Sequence, residues 1–284
     1  MRDFIPLKIK ICCAYLPKRK ILNSDLFAHL PPENLTLLNI EKYTGILARR
    51  YAQEGESCSD LAYLAVKYCL KEEQKQKVNA LLLATTSGDY PSPASAHILH
   101  EKLQLSSLCH CLDIASSCSS FLSVIRASKG FLQKHKETLL LASEVKHPSL
   151  DTADQRTTSL FGDGAGGLIV TKEKAHGSFF SFCFSEVNSS LSKNIIIPVG
   201  GSRTPSNRAN LSENKLKFFE PKKMYQEITK SIVRAVEHCS NIKKKTLKKF
   251  MPDLENIPGL IYIHQANGNI LKEVKARVDP LIAI

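Results

Sequence analysis

The stretch His110-Cys111-Leu112-Asp113-Ile114-Ala115-Ser116-Ser117-Cys118-Ser119-Ser120-Phe121 decides how the chain folds. Residues 110–115 form a short, mostly apolar run, which reads as a buried strand. Small polar residues end it. From residue 118 to 134, Phe121, Val124, Ile125, Phe131 and Leu132 recur on one helical face. A strand that hands a cysteine to a helix start places the thiol beside unpaired N–H groups and the positive end of the dipole. That setting lowers the thiol pKa and makes Cys118 a candidate nucleophile. The competing reading is a structural, buried cysteine.

Working outward, residues 78–85 and 138–143 are buried strands of the same kind, and 168–171 and 179–185 also read as strands. Ser57-Cys58-Ser59-Asp60 has the spacing of a helix start, with Leu61, Leu64, Ala65, Tyr68 and Cys69 on one face behind it. Residues 93–103 predict a helix opening on proline. Residues 221–240 predict a long amphipathic helix, and 198–213, rich in Gly, Ser, Asn and Pro, a loop. Residues 259–263 predict another strand, with His264 at its end and a helix from about Ile270. Short buried strands separated by helices imply an α/β fold with largely parallel sheets.

The second unit of strand, reactive residue and helix echoes the first, which suggests a duplicated βα core. His264 lies 146 positions beyond Cys118. A histidine ending a buried strand is either a hydrogen-bonded core residue or an acid/base group at the sheet edge.

Gly162, Gly164 and Gly167 satisfy G-x-G-x-x-G, but Leu168-Ile169-Val170 continues as a strand where the dinucleotide fingerprint needs a helix. A nicotinamide or flavin reading is rejected, and the glycines are assigned to close backbone packing or to turns with positive φ. His97, His100, Cys109, His110 and Cys111 match no standard zinc spacing, so no metal is expected. There is no Walker loop, HExxH or GxSxG.

The 284 residues carry 43% hydrophobic and 23% charged side chains, which excludes disordered and fibrous classes. The net charge is +12, and residues 214–249 hold eleven Lys/Arg against three Glu. Such a segment suits an acidic partner or is simply a solvated helix face. A nucleic-acid binder is disfavoured, because aromatic interleaving and any known module are missing. Nine cysteines without framework spacing, no signal peptide and no apolar run of membrane length predict a reduced, cytoplasmic protein.

Taken together, these pieces resemble the thiolase-fold condensing enzymes, specifically the 3-oxoacyl-[acyl-carrier-protein] synthase III family. The resemblance runs through Ala14-Tyr15-Leu16-Pro17, Tyr43-Thr44-Gly45-Ile46 with Arg49-Arg50, and residues 84–91. It continues through Ser117-Cys118 with Phe121, Ala142-Ser143-Glu144, Asp154-Gln155-Arg156-Thr157 with residues 160–166, and His264-Gln265-Ala266-Asn267.

It implies a layered αβαβα fold built from two similar halves, residues 1–172 with the nucleophile and 173–284 with the catalytic histidine. It also implies an acyltransferase that needs no cofactor. Cys118 would take a starter acyl group from a thioester, acyl-CoA or acyl-carrier, and malonyl-acyl carrier protein would condense with it by decarboxylative Claisen chemistry. His264 would donate to the thioester oxygen. Phe121 would line the acyl pocket, Arg156 would contact coenzyme A phosphates, and Asn267 is a further substrate-binding candidate. The partners implied are acyl carrier protein and a second subunit, as homodimer or heterodimer.

Four departures carry expectations of their own. Only 20 residues follow His264, too few for the family's catalytic Asn, Gly-rich loop and closing strands, so a truncated second half is expected. That leaves a binding-only partner subunit as the alternative reading. Ser120 stands where the family usually has Gly and is expected to crowd the turn. Asn269 replaces an Arg that helps dock carrier protein, and the absence of Trp removes the indole that stacks on adenine, leaving an acyl-carrier starter open.

Overall fold

A computed structural model describes residues 5–29, 37–172, 179–180, 185–250 and 263–278. The chain divides into two compact units, residues 1–22, 48–148 and 161–183, and residues 23–47, 149–160 and 184–284. Five strands form the sheet of the first unit: β1 (Lys8–Tyr15), β2 (Val78–Ala84), β3 (His110–Ile114), β4 (Glu137–Glu144) and β5 (Gly164–Thr171). The helices used below are α1 (Leu37–Thr44), α2 (Cys58–Val66), α3 (Ser95–Leu103), α4 (Ser120–Ser128), α5 (Pro221–Phe250) and α6 (Gly268–Arg277).

The sheet order is β1-β5-β4-β2-β3. β2 runs parallel to both β3 and β4, whereas β5 is antiparallel to both β4 and β1. The sheet is therefore mixed rather than largely parallel. The glycine run explains the difference, since residues 164–167 belong to β5 itself, which follows β4 through a connection with no crossover helix of strand length. A Cβ on Gly167 would sit 2.3 Å from the Leu140 carbonyl oxygen, so close backbone approach is what these glycines supply.

Both sheet faces are covered. Leu81, Leu83, Leu139, Leu141 and Ile169 pack with Cys58, Ala62 and Val66 of α2 and Ala96, Leu99 and Leu103 of α3. Their alternate neighbours Leu82, Ala84, Leu140 and Val170 pack with Val124 of α4 and with Leu132. Burial on both faces is why the strands read as continuous apolar runs. β1 escaped that reading because its edge alternates. Lys10 lies in it and pairs with the buried Glu137 of β4 at 2.8 Å.

Three helix boundaries move for local reasons. α3 starts at Ser95 because Asp113 of β3 accepts from the Ser95 and Ala96 amides at 2.7 and 2.8 Å, capping it. α4 ends at Ser128, where the Phe131 and Leu132 amides both turn back to the Ser128 carbonyl. α5 runs ten residues beyond the expected end. The predicted start of α2 stands, with the Ser57 amide donating to Asp60 at 2.9 Å.

In the second unit, α5 and α6 pack through Ile228, Ile232, Val236, Ile270, Val274 and Val278. A short antiparallel ribbon pairs Ile195–Ile196 with Lys217–Phe218. Residues 259–262 lie outside the described residues, and so do most of the expected strands 179–185 and 259–263. The described helices include none long and apolar enough to cross a membrane.

Candidate active site

Cys118 sits in a single 3₁₀ turn, Ser117–Ser119, between the end of β3 and the start of α4. The turn is stapled by its own hydroxyls. The buried Ser120 hydroxyl accepts from the Ser116 amide at 2.8 Å and donates to the Ser117 carbonyl at 2.7 Å. Ser119 donates to the Ser116 carbonyl at 2.8 Å. Ser117 is held at φ +50°, in the left-handed region. Ser120 therefore braces the turn rather than crowding it.

Cys118 as a whole residue is exposed at the surface of the turn. Even so, the surrounding protein removes enough water to push its pKa above the ordinary thiol value, and the Glu144 charge adds to this. The Cys118 amide and Lys146 act in the opposite direction and are outweighed. The expected lowering by the helix start is thus present but is not the larger effect. Cys58 provides a contrast. It is buried in the core and donates to the Thr85 hydroxyl and the Ser143 carbonyl, and burial pushes its thiol up to about 12. It is a packing residue.

The strand ends around Cys118 are tied by one polar loop. The Thr85 amide donates to the Ile114 carbonyl at the end of β3. Glu144, at the end of β4, accepts from the Thr86 amide (2.8 Å), the Thr86 hydroxyl (3.0 Å) and the Ser87 hydroxyl (2.5 Å). Lys146 donates to the same Thr86 hydroxyl at 3.0 Å.

Asp163, inside the glycine run, is buried and holds a further set of backbone groups. It accepts from the Ala52 amide at 2.8 Å, the Lys146 amide at 2.7 Å and the His147 amide at 3.1 Å, and it pairs with His147 Nδ1. Burial alone would raise its pKa, but the His147 and backbone bonds hold it below the usual carboxylate range. Tyr51 stacks on His147 with ring centroids 4.7 Å apart. The glycines are legible in the sequence but this carboxylate's role is not, because its partners come from two distant segments, Ala52 and Lys146–His147.

His264 belongs to the second unit. Ile263 and Ala266 pack onto the α5–α6 stripe and leave His264 and Gln265 exposed between them. Partial desolvation lowers the His264 pKa below the ordinary imidazole value, so the ring is neutral at pH 7. Asn267 caps α6, its side-chain oxygen accepting from the Ile270 amide at 2.9 Å. Gly268 then packs closely on the Thr44-Gly45 turn, where a Cβ would lie 3.2 Å from the Thr44 carbonyl oxygen. Gly45 itself has φ +72°. Two motifs far apart in sequence thus meet at the start of α6.

Phe121 lies on α4, half-buried against the cluster of Leu82, Val124 and Leu140. Arg156 lies on the one-turn helix Gln155–Thr158 of the second unit. Near it is a cleft of about 410 Å³ lined by Asp151, Ala153, Asp154 and residues 216–219, among them Phe218 and Phe219. Nothing along the chain signals this cleft, since its walls, residues 151–154 and 216–219, lie more than 60 residues apart and are joined by a Leu216-to-Ser149 backbone bond.

A second hollow, of about 400 Å³, is lined by Lys222, Tyr225, Gln226 and Lys230 of α5 and by Glu273 and Arg277 of α6. The His/Cys cluster considered for metal is dispersed. His100 meets the Ser106 carbonyl, His110 stacks on Phe131, and Cys109 and Cys111 are buried. No group of three metal-ligating side chains forms among the described residues.

Comparison with known proteins agrees along most of the chain. Residues 112–187 match the family model for 3-oxoacyl-[acyl-carrier-protein (ACP)] synthase III. Over 277 residues the chain is 28% identical to the beta-ketoacyl-[acyl-carrier-protein] synthase III of Aliarcobacter butzleri, covering 94% of this chain and 78% of that protein. The Helicobacter pylori protein of the same name is 24% identical over 279 residues, covering 95% and 80%.

Among solved structures, one 3-oxoacyl-(acyl-carrier-protein) synthase III superposes with a TM-score of 0.82 at 22% identity, over 96% of this chain and 82% of that one. The Thermus thermophilus synthase III superposes with a TM-score of 0.73 at 25% identity, over 95% and 80%. These likenesses show a layered, thiolase-like α/β fold.

Proposed function

We propose, from this resemblance to the 3-oxoacyl-[acyl-carrier-protein] synthase III family, that the chain is a condensing acyltransferase of fatty-acid synthesis with Cys118 as its nucleophile. The observation that carries this is the placement of Cys118, exposed on a braced turn at the mouth of a strand–helix junction. Among the cysteines compared above, Cys58, Cys109 and Cys111 are packed inside.

The thiolate of Cys118 attacks the starter thioester carbonyl. A C–S bond forms to Cys118, and the starter's thiol leaves with a proton. The malonyl group on carrier protein then loses CO₂, and the electron pair of the broken C–C bond becomes an enolate. The enolate carbon attacks the acyl-Cys carbonyl, and Cys118 leaves as thiolate. His264, neutral at pH 7, donates a hydrogen bond to the thioester oxygen as charge builds there. Phe121 borders the acyl chain, and Arg156 and Asn267 serve starter and substrate binding. The starter is an acyl-CoA or an acyl-carrier thioester.

The acidic carrier protein suits the cationic hollow of Lys222, Lys230 and Arg277. In this reading the protein works in the cytoplasm as a dimer, with its duplicated halves at 1–172 and 173–284.

The test is covalent labelling. Incubation with a radiolabelled acyl thioester and a denaturing gel should show label on the protein, absent in Cys118→Ala. Carrier protein bound without any label would overturn the enzymatic reading.

A further inference from the structure

Glu144 and Lys146 are both anchored to one residue, Thr86, in the loop that ties the end of β4 to the end of β3 ahead of the Cys118 turn. Glu144 uses both carboxylate oxygens on the Thr86–Ser87 loop. The Ser87 hydroxyl in turn accepts from the Val145 amide at 2.9 Å, so the loop is tied to β4 from both directions. The same loop reaches β3 through the Thr85 amide and the Ile114 carbonyl, four residues before the nucleophile. Thr85 closes the tie internally, its hydroxyl accepting from the Ser87 amide at 3.1 Å.

We propose that Glu144 is a positioning residue for the Cys118 site. It locks the Thr85–Ser87 loop across the ends of β3 and β4, and with Lys146 it forms a charge pair held on one threonine at the strand end that leads to the nucleophile. The arrangement is specific. Lys146 donates to the Thr86 hydroxyl, and that hydroxyl donates onward to Glu144, so one threonine fixes the separation of the two charges. Beyond the loss of water around the sulfur, the negative end disfavours the thiolate and the positive end favours it. This inference takes Cys118 as the nucleophile from the proposed function, but its readout does not depend on turnover.

The experiment measures the pH dependence of iodoacetamide labelling at Cys118, read on its own peptide by mass spectrometry because the chain has nine cysteines. Glu144→Gln is expected to lower the labelling midpoint by about half a pH unit or more, and Lys146→Gln to raise it. Glu144→Asp keeps the charge but is one methylene too short to reach both hydroxyls, so its midpoint should move less than that of Glu144→Gln.

Unchanged midpoints in folded Glu144→Gln and Lys146→Gln, or shifts of the same sign in both, would overturn the proposal. If Glu144→Gln fails to fold, Lys146→Gln alone decides, and a midpoint that does not rise refutes it. If no acyl thioester labels the wild-type protein, the proposed function falls while these profiles still report on Glu144.

Discussion

Ser120 shows how one side chain changes the meaning of a motif. Its hydroxyl closes the Cys118 turn at both ends, so Ser120→Gly should destabilise the protein by about 1 kcal/mol through loss of buried hydrogen bonds, measurable by urea unfolding. A stabilised variant would mean that the hydroxyl crowds the turn after all. Asp163 carries more, since its loss strands the buried amides of Ala52, Lys146 and His147. Asp163→Ala should cost about 3 kcal/mol or more. Its folded pKa is depressed, so its contribution is complete above the unfolded value of about 3.9 and disappears as pH falls through the lower folded value. Acid unfolding of the wild type should therefore steepen below pH ~4, and the Asp163→Asn variant should lose that component. For His264 the sign is set by its lowered pKa. The neutral form persists below the ordinary imidazole value, so in the proposed donor role of His264 malonyl decarboxylation should keep its rate at pH 7 and decline only below about 6.5.

At the scale of elements, β2 and β4 are the core, and their alternation divides the load between faces. Leu81 packs toward α2 and α3, Leu82 toward α4, and both are fully buried. Either Leu→Ala change should cost about 2–5 kcal/mol, visible as a lower urea midpoint with unchanged slope. β5 gives a sharper comparison. A Cβ at Gly164 would meet its neighbours at 3.4 Å, whereas at Gly167 it would collide with the β4 backbone. Gly167→Ala should be far more destabilising than Gly164→Ala, and equal midpoints would contradict the strand register. The strands β2 and β4 were legible because burial on both faces leaves an uninterrupted apolar signature, and β3, an edge strand with only Cys111 buried, was legible from its short run ahead of the nucleophile turn. β1 was not, because a charged edge strand alternates and its Lys10 is explained only by Glu137, 127 residues away.

For the whole molecule, the charge asymmetry has a measurable consequence. In the proposed reading, carrier-protein binding at the cationic hollow of α5 and α6 should weaken steadily with ionic strength, and Lys222→Glu with Lys230→Glu should weaken it further while leaving Cys118 labelling by a small acyl thioester intact. Loss of small-thioester labelling in that variant would show that these lysines do more than dock a partner. Local patterning alone specifies the alternation of strands and helices, the cysteine at a strand–helix junction, the histidine ahead of a helix and the strand that stands where a dinucleotide site would need a helix. Each of these is written in local periodicity or in a few adjacent residues. The mixed sheet direction, the bracing of the turn by Ser120, the Asn267 cap, the Asp163 anchor and the Glu144–Thr86–Lys146 chain come from three-dimensional packing. Most of those depend on hydrogen bonds between segments tens of residues apart, and a pattern along one chain direction carries no record of which distant backbone amide a buried oxygen will meet.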